Sequence, residues 1–328
     1  MSFVTVLRRT WPLIGCAIAL APPIEAATQS NVAAADSKAI VNSWPDPVGR
    51  GPFPALKEMD ATLPDHVIYR PKQLSSAAAR RLPIVVWGNG GCAGDGAGQR
   101  LHLLNLASHG YLVIANGVIG SGPGVRPLPP RPIPPRGLHG EFVPPPPQTF
   151  ATQLTAGIDW AIAENKRAAS KYFGKLDPKA IAASGWSCGG VQALTIGSRD
   201  PRVRTIVIHN SGIFPADAPR QPEMELGKEA LARIRVPIIY ILGGPNDVAY
   251  ANGSNDYARL KGVFAAKVSL PVGHQGTFFE PNGGRAAIIA TAWLDWRLKG
   301  DLKGRAMFLG LNCTLCNDHL ISYNYKTR

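Results

Sequence analysis

The chain has 328 residues, of which 45% are hydrophobic and 17% are charged. This length and balance exclude a disordered chain and supply enough apolar residues for the core of one large domain. The formal net charge of +13 predicts non-specific attraction to anionic envelope surfaces, but the basic residues are spread along the chain without a nucleic-acid-binding motif, so no specific nucleic-acid partner is expected.

Residues 1–26 have the features of an export signal. Arg8 and Arg9 precede an apolar run at 11–21, and small residues around Ile24-Glu25-Ala26 provide a cleavage site. The apolar run is too short and too interrupted by proline to span a membrane, so no membrane span is expected after cleavage. We therefore predict a periplasmic or secreted protein. The arginine pair leaves open whether export uses the general or the twin-arginine route.

Cysteine usage agrees with export. Cleavage would leave four cysteines, an even number that permits two disulfides in an oxidising compartment: Cys92, Cys188, Cys313 and Cys316. The pair Cys313 and Cys316 could also form half of a zinc site or a redox motif. Because no second C-x-x-C or histidine pair accompanies it, we predict a local disulfide there.

Strand and helix patterns alternate along the chain after an irregular lead-in at 27–62. A short edge strand is expected at 66–70. Further runs are apolar and rich in β-branched residues, which is typical of strands buried on both faces: 83–87, 111–115, 180–183, 203–208, 236–242 and 267–270. Helical patterns fall between or after them: 99–109, 149–166, 191–199 and 285–298. This alternation predicts an α/β fold with a mostly parallel sheet covered by helices on both faces.

The predicted α/β domain covers 63–300, and the tail at 301–328 is too short for a core of its own. Within the domain, residues 117–147 form an unusual segment with eleven prolines between Pro123 and Pro147. Such a stretch supports neither helix nor sheet, so we predict a long extended loop. The segment contains Arg126, Arg131 and Arg136. These arginines either face an anionic substrate or belong to a solvated insertion.

One motif joins the predicted strand at 180–183 to the helix that follows. Gly185-Trp-Ser-Cys-Gly189 has the form G-x-S-x-G, the pattern of a nucleophile elbow. The turn exposes the serine hydroxyl, and the flanking glycines avoid clashes with the neighbouring strand and helix. A glycine-rich turn without catalysis would share this pattern, so the interpretation of Ser187 as a nucleophile depends on partners elsewhere in the chain.

Two such partners follow later strands. A serine hydroxyl needs an imidazole to take its proton, and the imidazole needs a carboxylate to orient it. Asp247 and His274 both follow predicted strands, and the order Ser, Asp, His is that of α/β-hydrolases. Asp256 is a rival acid. His209 is a rival base, but it precedes the acid in the chain.

A second glycine-rich turn follows the strand at 83–87. Asn89-Gly-Gly-Cys92 resembles the His-Gly-Gly-Gly loop of esterases, with asparagine in the histidine position. We expect the oxyanion hole to use the backbone N–H of Cys188 and that of Gly90 or Gly91. The loop lacks the further residues that dinucleotide or P-loop phosphate binding requires. Because Cys92 and Cys188 flank this predicted oxyanion hole from two different strands, we expect them to lie close together, either as a disulfide or as two buried thiols.

These residues resemble the α/β-hydrolase superfamily. Gly185-Trp-Ser-Cys-Gly189, Gly244-Pro-Asn-Asp247 and Gly273-His-Gln-Gly276 look like its exported bacterial branch, akin to dienelactone hydrolases, cutinases and platelet-activating-factor acetylhydrolases. Two departures are notable. The nucleophile is serine where dienelactone hydrolases proper have cysteine, and Cys188 stands where related polyester hydrolases often carry methionine.

The resemblance implies hydrolysis of an ester, thioester or amide through an acyl-enzyme. We expect a small-molecule or polymeric ester substrate, with an apolar pocket that includes Trp186, Tyr250 and Phe278. Because no acid-rich metal cluster is visible in the sequence, no metal and no cofactor are expected. Two alternatives remain open, namely a non-catalytic binding or interaction protein on a hydrolase scaffold and a serine peptidase or amidase.

Overall fold

A nine-stranded sheet dominates the structure, a computed structural model that describes residues 42–77, 81–132, 134–135, 143–216 and 222–327. The strands are β1 (Ala55–Asp60), β2 (Leu63–Pro71), β3 (Leu82–Gly88), β4 (Leu112–Asn116), β5 (Leu176–Trp186), β6 (Val203–His209), β7 (Ile238–Leu242), β8 (Ala265–Ser269) and β9 (Ser322–Lys326). Their order in the sheet is β1-β2-β4-β3-β5-β6-β7-β8-β9. Strands β3 to β8 run parallel, whereas β1, β2 and β9 pair antiparallel with their neighbours.

Helices cover both faces of this sheet. They are α1 (Leu74–Ala77), α2 (Arg100–Ser108), α3 (Ala151–Lys166), α4 (Cys188–Gly197), α5 (Tyr250–Arg259), α6 (Gly284–Lys299) and α7 (Leu302–Ala306). Short 3-10 turns lie at Gly90–Cys92, Pro222–Met224, Lys228–Arg233 and Pro281–Gly283. The mostly parallel, helix-covered sheet confirms the predicted α/β class.

The central strands form because their sequences are apolar at successive positions. β3, β4 and β7 are buried along their whole lengths, as a sheet covered on both faces requires. Side chains alternate between two core clusters, one on each face. Ile84 and Val86 join the cluster beneath α3 and α4, whereas Val85 and Trp87 join the cluster beneath α2 and α6.

Three elements differ from the sequence-based expectation. β1 lies within the supposedly irregular lead-in and pairs with β2, so the strand expected at 66–70 is an inner strand and not an edge. α5 was not expected, because its sequence is polar and contains glycine. The tail contributes β9, which pairs with β8, while Phe308 and Leu315 enter the core cluster beneath α6. The tail is therefore a part of the sheet's packing.

Several predictions concern residues outside the described ranges. The export signal at 1–26 lies wholly outside them, and so does Arg136. The described residues of the proline-rich segment, which include 119–132 and 143–147, contain no helix or strand, but the segment as a whole remains a predicted loop. Among the helices described, none has the length and apolar character needed to cross a bilayer.

Candidate active site

Ser187 lies on a sharp turn between β5 and α4. Its backbone angles, φ 53° and ψ −122°, are unfavourable for a residue with a side chain, so the surrounding structure must hold them. The glycines beside it permit that geometry. A Cβ at Gly185 would lie 2.2 Å from the carbonyl oxygen of Gly189, and a Cβ at Gly189 would lie 2.0 Å from the carbonyl group of Gly88. Both distances are shorter than van der Waals contact, so only glycine fits at either position.

His274 links Ser187 to Asp247. The imidazole Nε2 lies 3.0 Å from Ser187 Oγ, and Nδ1 lies 2.6 Å from Asp247 Oδ1. The three residues follow β5, β7 and β8, so they meet at the carboxyl edge of the parallel sheet. Ligands of such sheets bind at the same edge. Ser187 is half-buried and the His274 side chain is 27% exposed, so both residues are partly exposed to solvent.

Asp247 is fixed as a charged hydrogen-bond acceptor. Its side chain is fully buried, and the backbone N–H groups of Gly243 and Ala249 donate to its two carboxylate oxygens at 3.1 and 2.9 Å. Burial acts to raise the pKa of Asp247, but the hydrogen bonds from His274, Ala249 and Gly243 outweigh it and hold the pKa below its ordinary value. The carboxylate is therefore ionised when it accepts the His274 Nδ1–H.

The loop that carries His274 is held by two side chains. Trp186 Nε1 donates to the His274 carbonyl oxygen at 2.9 Å. Asn210 Nδ2 donates to the carbonyl oxygens of Gly273 and His274 at 2.9 and 2.7 Å. Ser211 Oγ donates to the Ser187 carbonyl oxygen at 2.6 Å. Asn210 and Ser211 were missed in the sequence, although they directly follow β6 and so meet the same strand-end criterion as the three site residues.

The rival acid has different partners. Asp256 lies on α5 with its side chain fully buried, and it forms an ion pair with Lys228 at 2.5 Å. The backbone N–H of Ile213 also donates to its carboxylate at 2.7 Å. Burial raises the pKa of Asp256 to about 6 despite these contacts. Asp256 is thus a structural carboxylate, and Asp247 is the acid that meets His274.

The rival base is buried on one face of the sheet. His209 is 1% exposed and packs edge-on against His102, with ring centroids 4.9 Å apart. Desolvation by burial lowers the pKa of His209 far below its ordinary value. The His209 carbonyl oxygen accepts the Ser187 N–H at 3.1 Å, which is a backbone hydrogen bond that does not involve the imidazole. The imidazole that meets the serine hydroxyl is that of His274.

The loop expected to form the oxyanion hole docks directly on the elbow. Residues Gly90–Cys92 form a 3-10 turn with Gly91 at φ 61°, and the Asn89 side chain closes it by donating to the Ala93 carbonyl oxygen at 3.0 Å. A Cβ at Gly90 would lie 2.2 Å from the Trp186 ring. Among the described residues, none accepts a hydrogen bond from the N–H of Gly90 or Gly91. Cys188 is the first residue of α4, where the helix dipole favours negative charge.

Both cysteine pairs lie at disulfide distance. Cys92 and Cys188 are bonded, with Cα atoms 5.3 Å apart, and Cys313 and Cys316 are bonded, with Cα atoms 5.2 Å apart. From the sequence alone, Cys92 and Cys188 could have formed either a disulfide or two buried thiols. Their bond ties the predicted oxyanion loop to the residue after Ser187.

The three residues expected in a substrate pocket occupy different environments. Trp186 is half-buried, and its ring centroid lies 5.7 Å from that of His274. Tyr250 is half-buried at the start of α5, with Lys267 Nζ 5.5 Å from its ring. Phe278 is 1% exposed and packs beneath Trp186, so it supports the site from inside the core and offers no surface to a substrate.

Chemically, the arrangement can activate a hydroxyl and stabilise an anion beside it. Among the described residues, no three His, Cys, Asp or Glu side chains come together as a group that could hold a metal ion. No protein-family model matches the chain, and no curated protein matches it significantly.

Proposed function

We propose that the protein is a serine hydrolase of the α/β-hydrolase superfamily that cleaves carboxylic esters through an acyl-enzyme. The observation that carries the proposal is the hydrogen-bonded chain from Ser187 through His274 to Asp247. The strand–turn–helix setting of Ser187 and the order of the three residues support it further.

In the first half of the proposed reaction, the Ser187 oxygen attacks the ester carbonyl carbon while His274 Nε2 takes the hydroxyl proton. Asp247 stabilises the imidazolium through the Nδ1–H hydrogen bond. The carbonyl electron pair moves onto oxygen, and the N–H groups of Cys188 and of Gly90 or Gly91 bind the resulting oxyanion. The intermediate then collapses, the bond to the alcohol oxygen breaks, and His274 gives its proton to the departing alcohol.

In the second half, water replaces the alcohol. His274 takes a proton from water as the hydroxide oxygen attacks the acyl-serine carbonyl, and the oxyanion forms in the same place. Collapse releases the carboxylic acid, and Ser187 regains its proton from His274. The partial solvent exposure of Ser187 and His274 supports access of water to the acyl-enzyme.

We also propose that the protein is exported to the periplasm or secreted. Disulfides persist in oxidising compartments and are rare in the reducing cytosol. The two bonded cysteine pairs support this location, together with the predicted signal at 1–26.

The proposal is tested by hydrolysis of p-nitrophenyl pentanoate with the mature wild-type protein. Ser187→Ala and His274→Ala should each lower kcat by at least about 10³-fold, whereas Ser254→Ala on α5 should retain wild-type turnover. A matched p-nitroanilide distinguishes an esterase from a peptidase. A folded wild-type protein without esterase activity, or a Ser187→Ala variant that keeps it, would refute the proposal.

A further inference from the structure

The described parts of the proline-rich segment pack against the predicted oxyanion loop. On one side, the Gly120 N–H donates to Asp95 Oδ1 at 3.0 Å. On the other side, the N–H groups of Gln148 and Thr149 donate to the Cys92 carbonyl oxygen at 2.8 and 3.1 Å. Gln148 Oε1 in turn accepts the N–H of Gly94 at 3.0 Å. The residues that directly follow the segment are therefore fixed to Cys92, whose sulfur is bonded to Cys188, and the start of the segment is fixed to Asp95, three residues after that cysteine.

Arg131 lies at the centre of this contact. Its Nη1 donates to the Gly91 carbonyl oxygen at 2.8 Å, and its Nη2 lies 3.0 Å from the position that a Cβ on Gly91 would occupy. The guanidinium is half-buried, and this desolvation lowers the pKa of Arg131. Among the described residues, no carboxylate forms an ion pair with it.

Some other desolvated arginines of the described chain have acidic partners, whereas Arg297 stacks on the Trp296 ring and pairs with no carboxylate among the described residues. Arg70 pairs with Glu58, and Arg100 pairs with Asp46. A guanidinium presents five N–H donors in a planar fork, and in Arg131 it is Nη1 that donates, to the Gly91 carbonyl oxygen and, at 3.5 Å, to that of Pro146. The remaining donors match the two oxygens of a carboxylate, and partial desolvation strengthens such a bond. The chemistry of this position is therefore that of an anion-binding group.

The topology indicates which part of a substrate would reach Arg131. In the sheet, β5 carries Ser187, β3 leads to Gly91 on one side, and β8 leads to His274 on the other. The departing alcohol takes its proton from His274 and so leaves on the β8 side. The oxyanion occupies the N–H groups of the loop after β3, and we expect the acyl part to pass beside that loop, which Arg131 contacts at Gly91.

We propose that Arg131 determines substrate specificity by binding a carboxylate on the acyl chain, so that the preferred substrates are monoesters of dicarboxylic acids. This inference rests on the proposed ester hydrolysis. Arg131 would bind the substrate in both the ground state and the transition state, and it would take no part in proton transfer.

The test compares two p-nitrophenyl esters whose five-carbon acyl chains differ only in a terminal carboxylate: mono-p-nitrophenyl glutarate and p-nitrophenyl pentanoate. The wild-type protein should prefer the glutarate. Arg131→Gln should lower kcat/KM for the glutarate by about 10- to 100-fold and change that for the pentanoate by less than about threefold, as expected for loss of a charged hydrogen bond. Arg126→Gln, an exposed arginine of the same segment, is the matched control and should alter neither value.

Each other outcome has a defined meaning. An equal loss on both esters would show that Arg131 only holds the Gly91 loop, and it would overturn the inference. So would a wild-type protein that hydrolyses the pentanoate with no preference for the glutarate. Hydrolysis of neither ester would refute the proposed function and the inference with it. If Arg131→Gln does not fold, Arg131→Lys retains the charge without the planar fork, and it should reduce the preference for the glutarate and leave pentanoate hydrolysis intact.

Discussion

The buried histidine pair should make the protein sensitive to acid. His102 and His209 contact each other within a cluster of aromatic rings, with Phe278 5.3 and 5.5 Å from them and Trp87 5.4 Å from each. Among the described residues, none bonds to any of their four ring nitrogens. Burial lowers the pKa of His102 from 6.5 to about 3, and burial together with His102 lowers the pKa of His209 far below 6.5.

The sign of the effect follows from proton linkage. Below pH 6.5 the unfolded chain protonates both imidazoles, whereas the folded chain keeps them neutral. The unfolded state therefore binds more protons, and the free energy of unfolding falls as the pH falls. Each histidine contributes a slope of about 1.4 kcal/mol per pH unit. For His102 the loss reaches on the order of 5 kcal/mol at pH 3, which is comparable with the whole stability of a typical domain.

Urea unfolding at several pH values between 7.5 and 4.5 measures this slope. His102→Leu should reduce the dependence of the unfolding free energy on pH by about 1.4 kcal/mol per unit below pH 6.5. His319→Leu removes an exposed imidazole and should keep the wild-type slope. If His102→Leu retained the wild-type slope, His102 would be charged or hydrated in the folded protein, and the reasoning would be refuted.

Four further results are expected. Asp247→Asn should lower kcat by about four orders of magnitude, because it disturbs the tautomer of its imidazole partner. Asp256→Asn should instead lower the urea midpoint and spare turnover, and equal loss of turnover in both variants would contradict the assignment. Replacing Cys92 and Cys188 by serine opens a 96-residue separation, so it should cost about 3 kcal/mol more stability in urea than the same change in the tail pair, which spans 3 residues. Trp186→Phe should lower kcat/KM for the pentanoate about 3- to 10-fold through loss of its indole hydrogen bond, and unchanged kinetics would count against a positioning role.

The sequence predicted the central sheet and the three site residues for one physical reason. Continuous apolar runs mark strands buried on both faces, and the carboxyl ends of parallel strands share one edge. Residues directly after such runs therefore converge, and this is how Ser187, Asp247 and His274 come together. Chain order also favoured His274 over His209, which precedes the acid, whereas Asp256 remained a rival of Asp247 because it too lies between Ser187 and His274.

The missed elements depend on contacts between distant parts of the chain. β9 is a strand because its backbone pairs with β8, and α5 is a helix although its ten residues include two asparagines and a glycine. The Cys92–Cys188 bond depends on the close docking of Gly189 on the loop after β3, which neither cysteine reveals. The contact of Arg131 with Gly91 is equally hidden, because a proline-rich segment has no periodicity that would place it.

The proposed nucleophile is tested most sharply by the site at which a fluorophosphonate probe attaches. Such a probe forms a covalent bond only with a serine whose hydroxyl is activated, as a hydrogen bond to His274 Nε2 would do. Mass spectrometry of the digested wild-type protein should find one labelled peptide, with the adduct on Ser187, and Ser187→Ala should remain unlabelled. A folded wild-type protein without label, or an adduct on another serine that persists in Ser187→Ala, would contradict the assignment of Ser187 as the nucleophile.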